Sequence, residues 1–303
     1  MGGSNQQNPP LNGQVNIDIP DLLARCTFPP AGAAVDCAVS GGPDSLALLV
    51  LAAEAGCAVT AWHVDHGLRP GSDAEADVVA QAAARWGAAF EARAAPCEPG
   101  PNLEARARQA RYGELPTGVL TGHTADDQAE TVLLNLMRGS GPDGLAGIDP
   151  ARRPLLGLRR HETQALCESL SLEPVRDPSN LDPAHRRNRI RHELLPLLCD
   201  IAERDVVPII ARGAGLMGAI RDLIDDLATA IDPTDAKVVA AAPEPLAQMA
   251  LRRWIQRETG ADHPPDAATI ERVLAVARND ARSTEIGGGW RVTRSAQRLG
   301  LQR

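Results

Sequence analysis

Apolar positions recur along the first half of the chain with two different periods. Short apolar runs at Val35–Val39, Ala58–Val64, Ala88–Ala92 and Val119–Gly122 read as buried strands. Between them the period lengthens to that of a helix. Leu46, Leu49, Val50 and Ala53 fall on one face, and Gly56 stops that segment. Ala76, Val79, Ala80 and Ala83 share a face within Asp73–Arg85, as do Ala129, Val132, Leu133 and Leu136 within Ala125–Met137. Strands alternating with helices predict the α/β class: a doubly wound parallel sheet covered by helices on both faces. Ligands of such sheets bind beyond the carboxyl ends of the strands. The Ser40–Ser45 turn, His63–His66 and Gly122–His123 are therefore expected on one rim.

From about Val206 the pattern becomes helical. Leu216, Ile220, Leu223, Leu227 and Ile231 form one stripe, and Leu246, Met249, Ala250 and Trp254 a second. Ile270, Val273, Leu274 and Ala277 form a third, with Asp266 placed to cap it. Gly287, Gly288 and Gly289 interrupt the helical period. Trp290 and Val292, then Leu299 and Leu301, alternate like a closing hairpin. The predicted organisation is a disordered polar tail (1–20), a catalytic domain (21–200) and a smaller, mainly helical C-terminal domain (206–303). No apolar run approaches the roughly 18 residues of a membrane span. The tail lacks the basic and apolar regions of a signal peptide. The expectation is a cytoplasmic protein without a membrane partner.

Charge and cysteine content change this picture in two places. The formal net charge of −8 argues against nucleic acid as a partner. The distribution argues the other way, because His185-Arg186-Arg187-Asn188-Arg189-Ile190-Arg191 holds four arginines and no acid. Of the 31 basic residues only Lys237 is a lysine, a bias that weakens any argument from arginine abundance alone. The six cysteines, Cys26, Cys37, Cys57, Cys97, Cys167 and Cys199, form no CxxC pair.

The densest chemistry lies in Ser40-Gly41-Gly42-Pro43-Asp44-Ser45, between the first strand and the first long helix. A glycine turn opening a helix directs backbone N–H groups at one point, and the helix dipole adds positive potential there. Ser40 and Ser45 add hydroxyls. Asp44 beside phosphates calls for an intervening cation, with Mg²⁺ the natural choice. The plainer alternative is a serine-rich turn with a helix cap. The segment resembles the SGGxDS signature of the PP-loop ATP pyrophosphatases, which implies cleavage of ATP to AMP and pyrophosphate while a substrate oxygen is adenylated.

Further motifs follow. In Asn102–Tyr112, Glu104, Arg108 and Arg111 lie near one another at helical spacing. They suit either a solvated ion pair or an arginine facing phosphates. In Thr121–Thr131, Asp126 and Glu130 are explained by complementing a helix dipole. His123 and Asp127 are better placed for chemistry, His123 toward a phosphate and Asp127 toward a cation or an amine. Arg138–Gly147 is glycine-rich, and Arg153–Leu156, Asp177–Asn180 and Arg187–Arg191 follow.

In this order the motifs closely resemble the tRNA(Ile)-lysidine synthetase family from about Val35 to Leu198. The resemblance implies ATP-dependent ligation of free L-lysine to C2 of the cytidine at the first anticodon position of tRNA(Ile) with a CAU anticodon. The reaction passes through an adenylated tRNA, yields lysidine and releases AMP and pyrophosphate. It implies that Ser40, Gly41, Gly42, Pro43, Asp44 and Ser45 hold ATP, with Asp44 acting through Mg²⁺. Asp44, Arg111, His123 and Asp127 are then the catalytic set, and Arg187, Asn188, Arg189 and Arg191 face tRNA. The chain departs from the family at Thr124, where many relatives carry a second histidine, and in a short stretch between Arg111 and His123. The oligomeric state stays open, a homodimer included. The competing readings are a sulfur-inserting tRNA enzyme of the same superfamily, a synthetase acting on small molecules, and a silent nucleotide-binding module.

Overall fold

The structure, a computed structural model, describes residues 17–65, 73–95, 106, 110, 112–175, 182–261 and 264–303. The tail through residue 16, Cys97, Arg111 and the Asp177–Asn180 motif lie outside the described residues.

Four parallel strands, β1 (Ala34–Ala38), β2 (Ala58–Asp65), β3 (Ala89–Ala94) and β4 (Leu120–Thr121), form a sheet in the order β3-β2-β1-β4. Ala38 at the end of β1 is in register with Trp62 of β2 and Thr121 of β4, so the carboxyl ends share one edge. The chain moves outward from β1 through β2 to β3 and returns on the other side of β1 as β4. The order of winding therefore reverses between β1 and β4, where sheets of this kind open a ligand crevice. The α/β parallel sheet expected from the sequence is the observed fold.

Helices α1 (Ile19–Ala24), α2 (Pro43–Glu54), α3 (Asp73–Arg85), α4 (Ala125–Met137), α5 (Pro142–Leu145) and α6 (Arg160–Ser169) follow in chain order. Every residue of α2 from Ser45 to Ala52 is buried. A helix apolar on all sides belongs at the centre of a core. It shares that core with Val35 and Cys37 of β1, Val59 and Ala61 of β2, and Leu166 and Cys167 of α6. A long helical stretch comes next: α7 (Arg186–Arg189), a π turn over Ile190–Leu194, and α8 (Leu195–Ala202). Ile190 and Leu195 pack with Ala125, Ala129 and Leu133 of α4 in a separate small core.

The chain divides into two compact units. One holds everything through Ser140 with Gly147–Ala214, and the other holds Gly141–Ala146 with Gly215–Arg303. The division falls inside one helix, α9 (Val207–Ala228). The second unit contains α10 (Ala236–Ala241), α11 (Glu244–Thr259), α12 (Ala267–Arg278) and strands β5 (Ser283–Gly287), β6 (Trp290–Ser295) and β7 (Arg298–Gln302). Asp266 caps α12 by accepting from the Thr269 N–H at 2.7 Å. The strands form a three-stranded antiparallel sheet rather than the expected hairpin. The extra strand, β5, is at most half-buried along its length, so it carries little apolar signal. The stripe of Leu216, Ile220, Leu223 and Leu227 on α9 is exposed. No helix among the described residues is long and apolar enough to cross a membrane.

Candidate active site

The loop after β1 is shaped by its own serines. The Ser40 N–H donates to the Ser45 hydroxyl at 3.1 Å, and that hydroxyl donates to the Gly42 carbonyl at 2.9 Å. Gly41 has φ +83°, the left-handed region that favours glycine. Its carbonyl accepts from the Val175 N–H at 3.0 Å. Helix α2 then opens with Gly42 as N-cap and Pro43 in its first turn, and no side chain caps it. An uncapped helix start preceded by a glycine turn is the kind of arrangement that binds anions.

Across the crevice, Gly122 follows β4. A Cβ on Gly122 would collide with the Asp44 carbonyl oxygen, so backbone packs directly on backbone here. His123 comes next, with its Nδ1 2.7 Å from the Thr121 hydroxyl. Asp127 closes the first turn of α4: its Oδ2 accepts from the Thr124 N–H at 2.9 Å and the Thr124 hydroxyl at 3.0 Å. Thus the structure brings Ser40–Ser45, His123 and Asp127 to one rim, and Arg111 lies outside the described residues.

The group that ties this rim together is Arg160, which sequence reasoning missed. The Ala125 N–H donates to the Leu158 carbonyl at 2.8 Å, and the Arg160 N–H donates to Asp126 at 2.8 Å. These bonds sew the start of α6 to the start of α4. The Arg160 guanidinium then reaches three acids: Asp44 at 3.4 Å, Asp127 at 2.8 Å and Glu130 at 2.9 Å. Thr163, one turn further along α6, donates a short hydrogen bond to Asp44. Arg159 pairs with Asp126 at 3.0 Å and also reaches Asp205.

Glu130 departs furthest from the sequence reading. Dipole complementation on an exposed turn does not describe it, because its side chain is 0% exposed. It accepts from Arg160, from Arg187 at 2.7 Å and from Arg191 at 2.7 Å. Burial pushes this carboxyl up, but Arg191, Arg160 and Arg187 outweigh burial and hold it at about 2. At Asp44 the balance runs the other way. Burial raises the carboxyl to about 6, against the opposing pull of Arg160 and the Thr163 hydroxyl.

The four residues expected to face tRNA, Arg187, Asn188, Arg189 and Arg191, differ in their surroundings. Arg187 and Arg191 turn inward onto Glu130. Asn188 is buried and donates to the Asp182 carbonyl at 2.9 Å. Arg189 is the most open of the four, its side chain 62% exposed and paired with Glu193 one turn on. The physical reason is that a fully buried glutamate needs cations, and the nearest ones lie on this helix.

Asp44 fits a role in holding Mg²⁺. It is a half-buried carboxylate at the start of α2, and the one guanidinium near it, Arg160, is shared with Asp127 and Glu130. No group of three or more metal-ligating side chains occurs among the described residues. Magnesium is commonly held by one or two carboxylates completed by phosphate oxygens and water.

The parallel sheet, with a glycine loop after its first strand and the Gly122–Asp127 segment after β4, forms the core of a PP-loop domain. Residues 16–198 match that family, described as the PP-loop domain. Sequence relatives narrow this further. The chain is 42% identical over 282 residues to a tRNA(Ile)-lysidine synthase of Nocardia farcinica, covering 86% of this chain and 88% of that one. It is 42% identical over 239 residues to the corresponding synthase of Rhodococcus erythropolis, covering 72% of each. Among solved structures it resembles a U34-tRNA thiolase from Methanococcus maripaludis, with a TM-score of 0.52 at 17% identity over 66% of this chain and 78% of that one. At that identity the likeness speaks for the fold alone. The chain belongs to the tRNA(Ile)-lysidine synthase family.

Proposed function

We propose that this protein ligates free L-lysine to C2 of the first anticodon cytidine of tRNA(Ile) bearing CAU, at the expense of ATP. Family membership over most of the chain supports the activity. The observation that supports the site assignment is the close backbone contact of Gly122 with Asp44, which sets the Ser40–Ser45 loop beside the segment carrying His123 and Asp127. ATP phosphates fit the N–H groups of the loop and the first turn of α2. Magnesium held at Asp44 would neutralise charge on those phosphates.

The C2 oxygen of the cytidine attacks the α-phosphorus, and pyrophosphate leaves. The lysine amine then attacks C2; the C2–O bond breaks, AMP departs and the nitrogen loses a proton. His123, its ring direction set by Thr121, supports phosphate charge, and Arg111 has the same proposed role. Asp127 can take the incoming amine by sharing the oxygen that contacts Arg160. Arg160 acts as a positioning residue, because one planar guanidinium spans the ATP side at Asp44 and the amine side at Asp127. Arg186 and Arg189 are the exposed arginines of the cluster available to tRNA. The sulfur-inserting alternative gains nothing from Cys37 or Cys167, which are both buried. The thiols of Cys37 and Cys167 are pushed up to about 12, chiefly by burial.

The test is incorporation of radiolabelled lysine into tRNA(Ile), with each component omitted in turn. The expected result is incorporation that requires ATP, a divalent cation and the CAU transcript together. Incorporation into a transcript lacking the first anticodon cytidine would overturn the assignment.

A further inference from the structure

A groove of about 480 Å³ opens beside the candidate site, within the same compact unit. Leu134, Met137 and Arg138 from the end of α4 form one wall, and residues of the α7–α8 stretch, among them Arg186, Arg189 and Leu197, form the other. Its floor is apolar and open: Met137 is 60% exposed and Leu197 52%. Exposed apolar surface that is gathered into a groove marks a binding surface more often than a random patch does.

The rim gives the occupant's chemistry. Arg138, Arg186 and Arg189 stand on it with Glu193 as the one acid, and Glu193 is paired with Arg189. The rim therefore carries an excess of two positive charges. A second copy of the chain is disfavoured, because a two-fold interface would set this cationic rim against itself. An apolar floor with guanidinium planes at its edge matches an unstacked nucleobase and its phosphates. With two Phe, one Tyr and four Trp in the chain, arginine and aliphatic surface must serve where aromatic stacking commonly does.

Position adds a second argument. The helix whose first turn carries Asp127 ends at this groove. At about 1.5 Å per residue, Met137 lies roughly 15 Å along the axis from Asp127. That is too far for the reacting base and within reach of a nucleotide a few positions away. We propose that this groove binds one unpaired base of the anticodon arm flanking the reacting cytidine, with neighbouring phosphates on Arg138 and Arg186. The inference rests on the tRNA reading above and locates a contact that reading leaves open.

The test measures binding of the full-length chain to tRNA(Ile) transcripts over a salt series. The transcripts carry single abasic substitutions through the anticodon arm. Wild type should lose at least tenfold in affinity at one position outside the first anticodon nucleotide. Met137→Glu, which places a charge on an exposed groove position, should lose a similar factor on intact tRNA and show no further loss at that abasic position. Arg138→Ala with Arg186→Ala should make the log–log salt slope shallower by about 1.4 to 1.8. Circular dichroism melts and lysine-independent ATP binding, unchanged in both variants, confirm folding. Additive losses for Met137→Glu and every abasic site overturn the inference. So does an unchanged salt slope. Variants that bind tRNA normally but sediment as smaller species than wild type would also overturn it, assigning the groove to a second copy. If wild type binds and charges tRNA while the groove variants match it, only this inference falls. If wild type binds no tRNA, the proposed function falls with it.

Discussion

The loop around Asp44 is half-buried and the middle of α4 around Glu130 fully buried; both are acidic, and one guanidinium, Arg160, touches both. They are nevertheless held in opposite states. At Asp44 burial wins, and the carboxyl rises from an ordinary 3.8 to about 6. The native form then holds its proton more tightly than the unfolded chain, so stability from this group declines as pH rises from about 4 to 6 and is level above that. At Glu130 three guanidinium groups win, and the value falls from 4.5 to about 2. Its stabilising contribution is complete above 4.5 and is lost as pH falls from there toward 2. A region left short of positive charge can receive a cation from outside. A region with an excess of it is finished structure.

The comparison is broken most directly at Asp44. Asp44→Asn should lower lysine incorporation at least about 1,000-fold, some 4 kcal/mol, while the Tm at pH 7.5 is unchanged or higher. Near-normal turnover at saturating Mg²⁺ would remove Asp44 from the metal role. Glu130→Gln should do the reverse to the fold, costing on the order of 3 kcal/mol, since it leaves buried guanidinium groups without their anion. Chemical denaturation read against pH should also lose the acid limb below about 4.5. A wild-type acid limb in that variant would mean the arginines are compensated by another group.

Arg160→Lys tests the link between the two regions. A point-like ammonium keeps the charge but cannot span the acids that a planar fork reaches. Roughly a tenfold to hundredfold loss in kcat, with KM for ATP little changed, is the expected outcome. A wild-type rate would show that charge alone suffices. The smallest effect is expected at Arg189. Arg189→Ala should weaken tRNA binding a few-fold and make its log–log salt slope shallower by about 0.7 to 0.9, without altering Tm. Arg187→Ala should instead lower Tm, because Arg187 faces Glu130. Replacing both together would mix the two effects, so the single variants are the informative ones.

What could be read from the chain alone follows the range of the interactions involved. The β1–loop–α2 unit was legible because a buried strand, two glycines and an all-apolar helix are written within about twenty consecutive residues. The boundaries Asp73–Arg85 and Ala125–Met137 coincide with the expected ones, since each helix carries its own apolar period. Arg160 and Thr163 were not legible. They reach Asp44 across 116 and 119 residues, and nothing in their own neighbourhood signals that return. Glu130 was misread for a related reason: an acid just past a polar first turn looks like part of it until its partners arrive from other helices. The direction of Arg187 and Arg191 depends on the same long-range partner. Their i, i+4 spacing could have suggested a shared target, but not that it lay inward.

The contact between Gly122 and the Asp44 backbone has a consequence for how the protein could be altered. With no side chain between the two rims, the width of the crevice is a property of main chain against main chain. It does not vary with rotamer choice, and no enlarged or reduced side chain can tune it by degrees. Any retuning of which nucleoside or amine the enzyme accepts must come from the residues standing above that seam. At the seam itself any residue other than glycine at position 122 forces the two main chains apart.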